Sequence, residues 1–222
     1  MSAKVALLTY SMYGHIDKLA DSIEEGLKAS GATVSRFQFP ETLAPEVLQK
    51  MHAPPKSSIQ VLTDPTVLKD YDGFLLGFPT RYGRTPAQVS TFFDMTGGLG
   101  KLEASMASVL DGPRSSLRPT WTHFAGIFTS TASQHGGHET TALTTIPFLA
   151  HHGIIFVPLG FTHPNLTDNT EITGGSAWGA STVAGGDGSR IPTAKELEIA
   201  VGQGKSFGAI VNQYVAGATT SK

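Results

Sequence analysis

Short apolar runs along the chain alternate with stretches in which apolar residues recur every three or four positions. The first run, residues 4–10, reads as a strand that breaks into Ser11-Met12-Tyr13-Gly14-His15-Ile16. Beyond it Ile16, Leu19, Ala20, Ile23 and Leu27 mark the buried face of an amphipathic helix that ends near Gly31. Four more β-like runs follow, at residues 33–39, 73–78, 124–129 and 154–159. Helical patterns lie at 86–93 and 139–150, and in the second of these Pro147 withholds a backbone donor and is expected to bend or end the helix. The last helix begins after Pro192 with Thr193-Ala194-Lys195-Glu196, a capping box in which the outer two side chains satisfy each other's backbone amides. Its apolar positions Leu197, Ala200, Val201, Phe207, Ile210, Val211 and Tyr214 make it a docked helix.

Three of the five runs are nearly continuous in apolar residues, as strands covered on both faces are. Their alternation with helices predicts an α/β fold with an open, twisted, parallel five-stranded sheet and helices on both faces. Five such strands suit a flavodoxin-like order, in which ligands sit at the carboxyl ends of the strands. With no repeat or linker, residues 1–222 read as a single domain. Two segments exceed a minimal version of it: an insertion at about 100–122, after the third-strand helix, and a glycine-rich stretch at about 162–190, after the fifth strand. Segments of that length are usually functional or interfacial.

Composition narrows the chemistry. A net charge of -2 with only 15% charged residues gives no basic field for nucleic acid. The chain has no cysteine, so disulfides, thiolate metal sites and thiol nucleophiles are excluded, and redox chemistry has to come from a cofactor. No run approaches eighteen apolar residues and no basic, then apolar, leader opens the chain, so no integral membrane segment is expected and the expected location is cytoplasmic.

Polar, glycine-bearing loops follow the strands. After the first come Ser11, Met12, Tyr13, Gly14, His15 and Ile16, where unpaired amides at a helix N-terminus form a phosphate cradle. After the third come Pro79, Thr80, Arg81, Tyr82 and Gly83, and after the fourth Ser130, Thr131, Ala132, Ser133, Gln134, His135 and Gly136, small and polar enough to lie against a flat ring. Three such loops converging at one sheet edge point to a mononucleotide site. Competing motifs are missing: no G-x-G-x-x-G follows the first strand, no G-x-S-x-G elbow exists, and Gly204-Lys205-Ser206 lacks the first glycine of a Walker loop because residue 199 is Ile. The spacing in His135-Gly136-Gly137-His138-Glu139 fits no metalloenzyme pattern, so no metal site is expected.

Together with Pro40-Glu41-Thr42, Asp94-x-Thr96-Gly97-Gly98-Leu99, Ala150-His151-His152-Gly153 and Gly185-Gly186-Asp187-Gly188-Ser189-Arg190, these loops make the chain resemble the WrbA-type family of flavodoxin-like NAD(P)H:quinone oxidoreductases from the first strand to the last helix. The resemblance implies an FMN whose phosphate sits on Ser11, Met12, Tyr13, Gly14, His15 and Ile16, with Thr80, Arg81 and Tyr82 along the isoalloxazine and residues 130–136 over its polar edge. Tyr13 would also touch the nicotinamide cofactor. His152 would stand near the ring face as a substrate contact and possible proton donor. It further implies a homotetramer, a dimer of dimers with sites completed across subunits, in which NAD(P)H and then a quinone use the flavin in turn.

The chain departs from that pattern in four places. Gly100 stands where the family carries a tryptophan, with Trp121 as the candidate replacement, and residues 97–122 are longer than usual. The ring loop Thr131-Ala132-Ser133-Gln134-His135 is poorer in glycine, and Pro147 lies inside the following helix. Besides a flavoenzyme, these residues therefore admit a non-catalytic oligomeric scaffold or a membrane-associated paralogue. A one-electron carrier is disfavoured, because -2 over the chain supplies no acidic docking face.

Overall fold

A computed structural model describes residues 2–97 and 123–220. The elements in chain order are β1 (Lys4–Thr9), α1 (His15–Ala29), β2 (Thr33–Gln38), α2 (Pro45–Lys50), β3 (Gly73–Pro79), α3 (Ala87–Met95), β4 (Phe124–Thr131), α4 (His138–His151), β5 (Ile155–Phe156), β6 (Ser181–Val183) and α5 (Ala194–Thr220). The strands form one sheet in the order β2-β1-β3-β4-β5, with every pairing parallel. The insertion at about 100–122, with Gly100 and Trp121, lies outside the described residues.

Alternation along each strand divides the core in two. Val5, Leu7, Leu75 and Phe128 face α1 and α5, meeting Leu19, Ile23, Phe207 and Val211. Ala6, Leu8, Leu76 and Ile127 face the other way, onto Val89, Phe92, Ala142 and Leu149 of α3 and α4. Helices therefore cover both faces, which is why the strands read as unbroken apolar runs.

The fifth lane of the sheet differs from expectation. Only Ile155 and Phe156 of the 154–159 run pair as a strand, against Phe124 and Ala125 at the start of β4, with one further bond from the Val157 amide to the Ala125 carbonyl. The chain then leaves the sheet at Pro158. The carboxyl half of the lane is filled by β6, which pairs with Thr129, Ser130 and Thr131 at the other end of β4. The glycine-rich stretch is thus inserted within the fifth lane rather than appended after it. Gly179 shows why the stretch needs glycine: a Cβ there would lie 1.8 Å from the Ile127 carbonyl oxygen.

α4 runs through Pro147 to His151 without ending. Gly204, the odd glycine of the Gly204-Lys205-Ser206 triplet, is a packing residue, since its Cβ would sit 2.1 Å from the Ile23 carbonyl oxygen where α5 crosses α1. Gly26 makes the reciprocal approach, 2.1 Å from the Val201 carbonyl oxygen.

Candidate functional site

The loop between β1 and α1 is built as a cradle. Gly14 takes φ +87° at the N-cap of α1, a left-handed conformation that turns the chain sharply into the helix, whose first amides have no partner within the helix. Nothing lies within 4 Å of a Cβ placed there, so the backbone angle rather than crowding sets the choice of glycine. Ser11 Oγ accepts the Gly14 amide at 3.1 Å. Met12 and Ile16 are buried, so they offer the cradle only their backbone, whereas the half-exposed Tyr13 donates its hydroxyl to the Met51 carbonyl at 3.3 Å. His15 Nε2 lies 3.1 Å from the Arg190 carbonyl oxygen. Burial pushes the Asp17 carboxyl up, against the pull of its Ser11 hydrogen bond and nearby Arg36.

A polar network braces this loop from below. Lys56 donates to the Ser11 carbonyl at 2.9 Å, pairs with Glu41 at 3.0 Å and lies over the Tyr10 ring. Glu41 also accepts from the Tyr10 hydroxyl at 3.0 Å and from Gln88 at 2.9 Å, as well as from the amides of Thr42 and Leu43. Burial first, then the Glu41 charge, drives the Tyr10 phenol well above its ordinary range. These donors hold the Glu41 carboxyl below its usual value despite burial, which opposes them. Glu41 was visible in the sequence as part of a motif, but Lys56 belongs to no pattern and only the fold brings it here.

The β3 loop closes the neighbouring side. Pro79 ends the strand, and the Thr80 amide donates to the Ser130 carbonyl at 2.9 Å, tying this loop to the next. Thr80 Oγ1 accepts the Gly83 amide at 3.1 Å and lies 2.7 Å from Thr141 Oγ1. Arg81 and Arg84 exchange backbone bonds across a tight turn that puts Tyr82 at φ +53° with its side chain fully exposed. Arg81 Nη1 donates to the Thr80 carbonyl at 2.9 Å.

At the end of β4 Ser130 and Thr131 are buried, and beyond it Ala132, Ser133, Gln134 and His135 are exposed and Gly136 donates its amide back to the Ser133 carbonyl at 3.0 Å. Thr131 Oγ1 donates to the Ser133 carbonyl at 2.7 Å and lies 2.7 Å from His138 Nε2; His138 Nδ1 lies 3.0 Å from Ser181 Oγ on β6. An open cavity of about 390 Å³ borders this loop, lined by Gln134, His135, His138, Glu139 and Ser176. All three loops stand at the carboxyl edge of the sheet, as the sequence predicted.

Glu196 is a hub that the sequence revealed only in part. It closes the expected capping box, accepting the Thr193 amide at 2.9 Å. Fully buried, it also accepts from the amides of Gly174 and Val183 and from Thr182 Oγ1, and pairs with Arg190 at 3.0 Å. Because the Arg190 carbonyl meets His15, this knot ties the glycine-rich stretch to the cradle.

His152 does not join the cradle of its own chain. It caps α4, which carries the chain from the carboxyl edge back to the amino edge, and β5 begins three residues later opposite Phe124, the first residue of β4. A helix of 14 residues spans roughly 21 Å. At that edge the His152 ring lies edge-on to Phe148 at 4.7 Å between centroids, and its Nε2 is 2.9 Å from Thr96 Oγ1. Among the described residues no group of three or more potential ligands is placed to hold a metal ion, and no helix is long and apolar enough to cross a membrane.

No family model matches the chain. It is 47% identical over 210 residues to the minor allergen Cla h 7 of Davidiella tassiana, covering 93% of this chain and 95% of that protein. It is 44% identical over 211 residues to the NAD(P)H quinone oxidoreductase PST2 of Candida albicans, covering 95% and 97% of the two. The quinone-oxidoreductase QR2 of Triphysaria versicolor is 46% identical over 221 residues, 99% of this chain and 96% of that one. Among solved structures, the flavodoxin, WrbA-like protein from Agrobacterium tumefaciens superposes with a TM-score of 0.59 over 96% of this chain and 99% of its own at 19% identity, a likeness of fold.

Proposed function

Because this chain belongs to the flavodoxin-like, WrbA-type family of NAD(P)H quinone oxidoreductases, we propose that it reduces quinones to hydroquinones by two electrons, with FMN as its flavin and NAD(P)H as reductant. The observation that carries this reading is the gathering of three polar loops at the carboxyl edge of the sheet, around the exposed amides of α1 and the left-handed Gly14. The residues fit such a group. The turn at residues 11–16 offers amides and the Ser11 hydroxyl to one phosphate, as a mononucleotide requires, and lacks the longer glycine fingerprint of a dinucleotide site.

Bound there, the flavin supplies hydride acceptance from NAD(P)H and hydride donation to the quinone, chemistry that no side chain of this cysteine-free protein provides. The protein's own part is position and electrostatics. Residues 11–16 would hold the phosphate, Thr80, Arg81 and Tyr82 would line the ring, and residues 130–136 would close over its polar edge. The Arg81 guanidinium would supply positive charge beside the ring. Tyr13, half exposed beside the cradle, would meet the nicotinamide on this reading.

His152 stands at the opposite edge of its own sheet, so it reaches substrate only in an assembly where one chain's amino edge meets another's carboxyl edge. The proposed assembly is a homotetramer, and the proposed setting is the cytoplasm, where NAD(P)H is at hand. The test is the visible spectrum of the purified protein, titrated anaerobically with NADH and then 1,4-benzoquinone. Bleaching by NADH and recovery with quinone is the expected course. A colourless protein that FMN does not load would replace the enzyme with the scaffold, and single-electron transfer to a protein partner would replace it with a carrier.

A further inference from the structure

We infer that Lys56 is a positioning residue for the phosphate end of the proposed flavin: by holding the Ser11 carbonyl it locks the peptide unit between Ser11 and Met12, and so presents the Met12 amide to the phosphate. The inference rests on the FMN reading for the identity of the anion, and on geometry alone for the lock.

A carbonyl and the amide that follows it belong to one rigid plane, in which C=O and N–H of a trans peptide point in opposite directions. No described peptide bond is cis, so whatever fixes the Ser11 carbonyl also fixes the Met12 N–H. Among the described residues no backbone amide bonds to that carbonyl; its donor is Lys56 Nζ, at 2.9 Å. The same ammonium pairs with Glu41 at 3.0 Å and lies 4.5 Å from the centroid of the Tyr10 ring, so it is held on the loop from more than one side. The Met12 amide points away from Lys56. Among the described residues neither it nor the Tyr13 amide has an acceptor, whereas the Gly14 amide is taken by Ser11 Oγ. Were the plane to turn over, an oxygen lone pair would replace a donor in front of an anion.

Lys56 reaches the loop from a fixed base. Pro54 and Pro55 precede it with restricted φ, and the Gln38 side chain at the end of β2 donates to the Ser57 carbonyl at 3.1 Å and to the Ile59 carbonyl. The Gln38 backbone bonds Gln60 and Leu62 at 2.9 Å each, which ties the segment to the sheet. An ammonium on the carbonyl also polarises the peptide and strengthens its N–H as a donor. Glu41, 3.0 Å away, cancels much of the long-range charge, so the direction of the plane is the larger effect. A lock of this kind acts on a phosphate and leaves the ring of the flavin untouched.

The experiment uses the full chain, stripped of flavin and labelled with 15N-methionine. Of the five methionines, the one whose amide signal is lost in Met12→Leu is assigned. In the unmodified protein, inorganic phosphate is expected to move the Met12 amide proton downfield, as a bond to an anion does. Lys56→Met keeps the apolar stem and removes the ammonium; the shift is expected to vanish, and Kd for FMN, read from flavin fluorescence, to rise roughly tenfold. Kd for riboflavin, which has the ring and no phosphate, is expected to stay within about twofold. Lys56→Arg returns a charged donor and is expected to recover both readouts. A Met12 amide that ignores phosphate in the unmodified protein, or shifts equally in Lys56→Met, overturns the proposal. So does a loss shared by FMN and riboflavin, which would make Lys56 a residue of general stability. If the unmodified protein answers inorganic phosphate at Met12 but does not bind FMN, the flavin reading falls and the lock stands.

Discussion

At the scale of single residues, a count of protons assigns His138. Thr131 spends its proton on the Ser133 carbonyl, so His138 Nε2 donates to Thr131 and Nδ1 accepts from the Ser181 hydroxyl. The ring is satisfied only when neutral. Burial is the largest influence and lowers its affinity for a second proton, outweighing the opposite pull of Glu139 and Glu196. The consequence for stability has a definite sign. Above the unfolded histidine value of 6.5 neither state is charged, and the group contributes nothing to the pH dependence. As pH falls below it, the unfolded chain binds a proton that the folded chain resists, so stability declines by at most about 1.4 kcal/mol per pH unit for this site until the folded value is passed. His123, also lowered chiefly by burial, adds to the same slope. Thermal unfolding between pH 7.5 and 5 is expected to show a falling midpoint, and His138→Gln is expected to flatten it. An unchanged slope in that variant would show that His138 is not a source of the acid sensitivity.

At the scale of elements, contact between α1 and α5 depends on glycines whose cost in helix propensity is offset by close approach. Gly204→Ala gains about 1 kcal/mol of propensity. It also drives a Cβ to 2.1 Å from the Ile23 carbonyl oxygen, a backbone atom that cannot step aside. Overpacking of this kind costs roughly 1–3 kcal/mol and more against backbone, so a net loss is expected. Gly217→Ala, in the same helix, puts a Cβ with no atom outside the helix's own backbone within 4 Å, and is expected to gain stability. Urea denaturation of the two variants gives opposite signs if packing decides, and the same sign if propensity does. This is also where reading the sequence stopped short. Strands β1, β3 and β4 were legible because burial on both faces leaves apolar runs, and α1 because its buried face repeats every turn. β6 was hidden, since Ser181-Thr182-Val183 is short and mostly polar and becomes a strand only by pairing with the end of β4. α2 is a single short helix with no buried residue and so carried no periodic signal. At the site, Ser11, Thr80 and Ser130 could be found because loops after parallel strands share an edge. Lys56 and the burial of Glu196 depend on tertiary contacts that no local pattern encodes.

At the scale of the whole molecule, the two halves of the proposed chemistry sit at opposite edges of one sheet, and that separation makes a claim about assembly. The cradle follows the carboxyl ends of β1, β3 and β4, while His152 and Thr96 lie at the amino edge, because α3 and α4 each return the chain across the sheet. A parallel sheet permits no other arrangement: a residue just before a strand and a residue just after one face opposite ways. If His152 is the substrate contact, one chain has both components and no way to use them together, and the proposed assembly is what would let each chain supply what the other's site lacks. Complementation tests this directly. Gly14→Val forces a β-branched side chain into φ +87° and is expected to abolish flavin binding, and His152→Ala removes the proposed substrate contact from a chain whose cradle is intact. Each variant alone is expected to be poorly active in quinone reduction. Co-expressed in equal amounts, they form mixed assemblies in which an intact cradle meets an intact histidine in about a quarter of random pairings, so activity rises well above the mean of the two parents. Activity that merely averages the parents would mean that each chain works alone, and would require His152 to act through its own fold rather than at a neighbour's flavin.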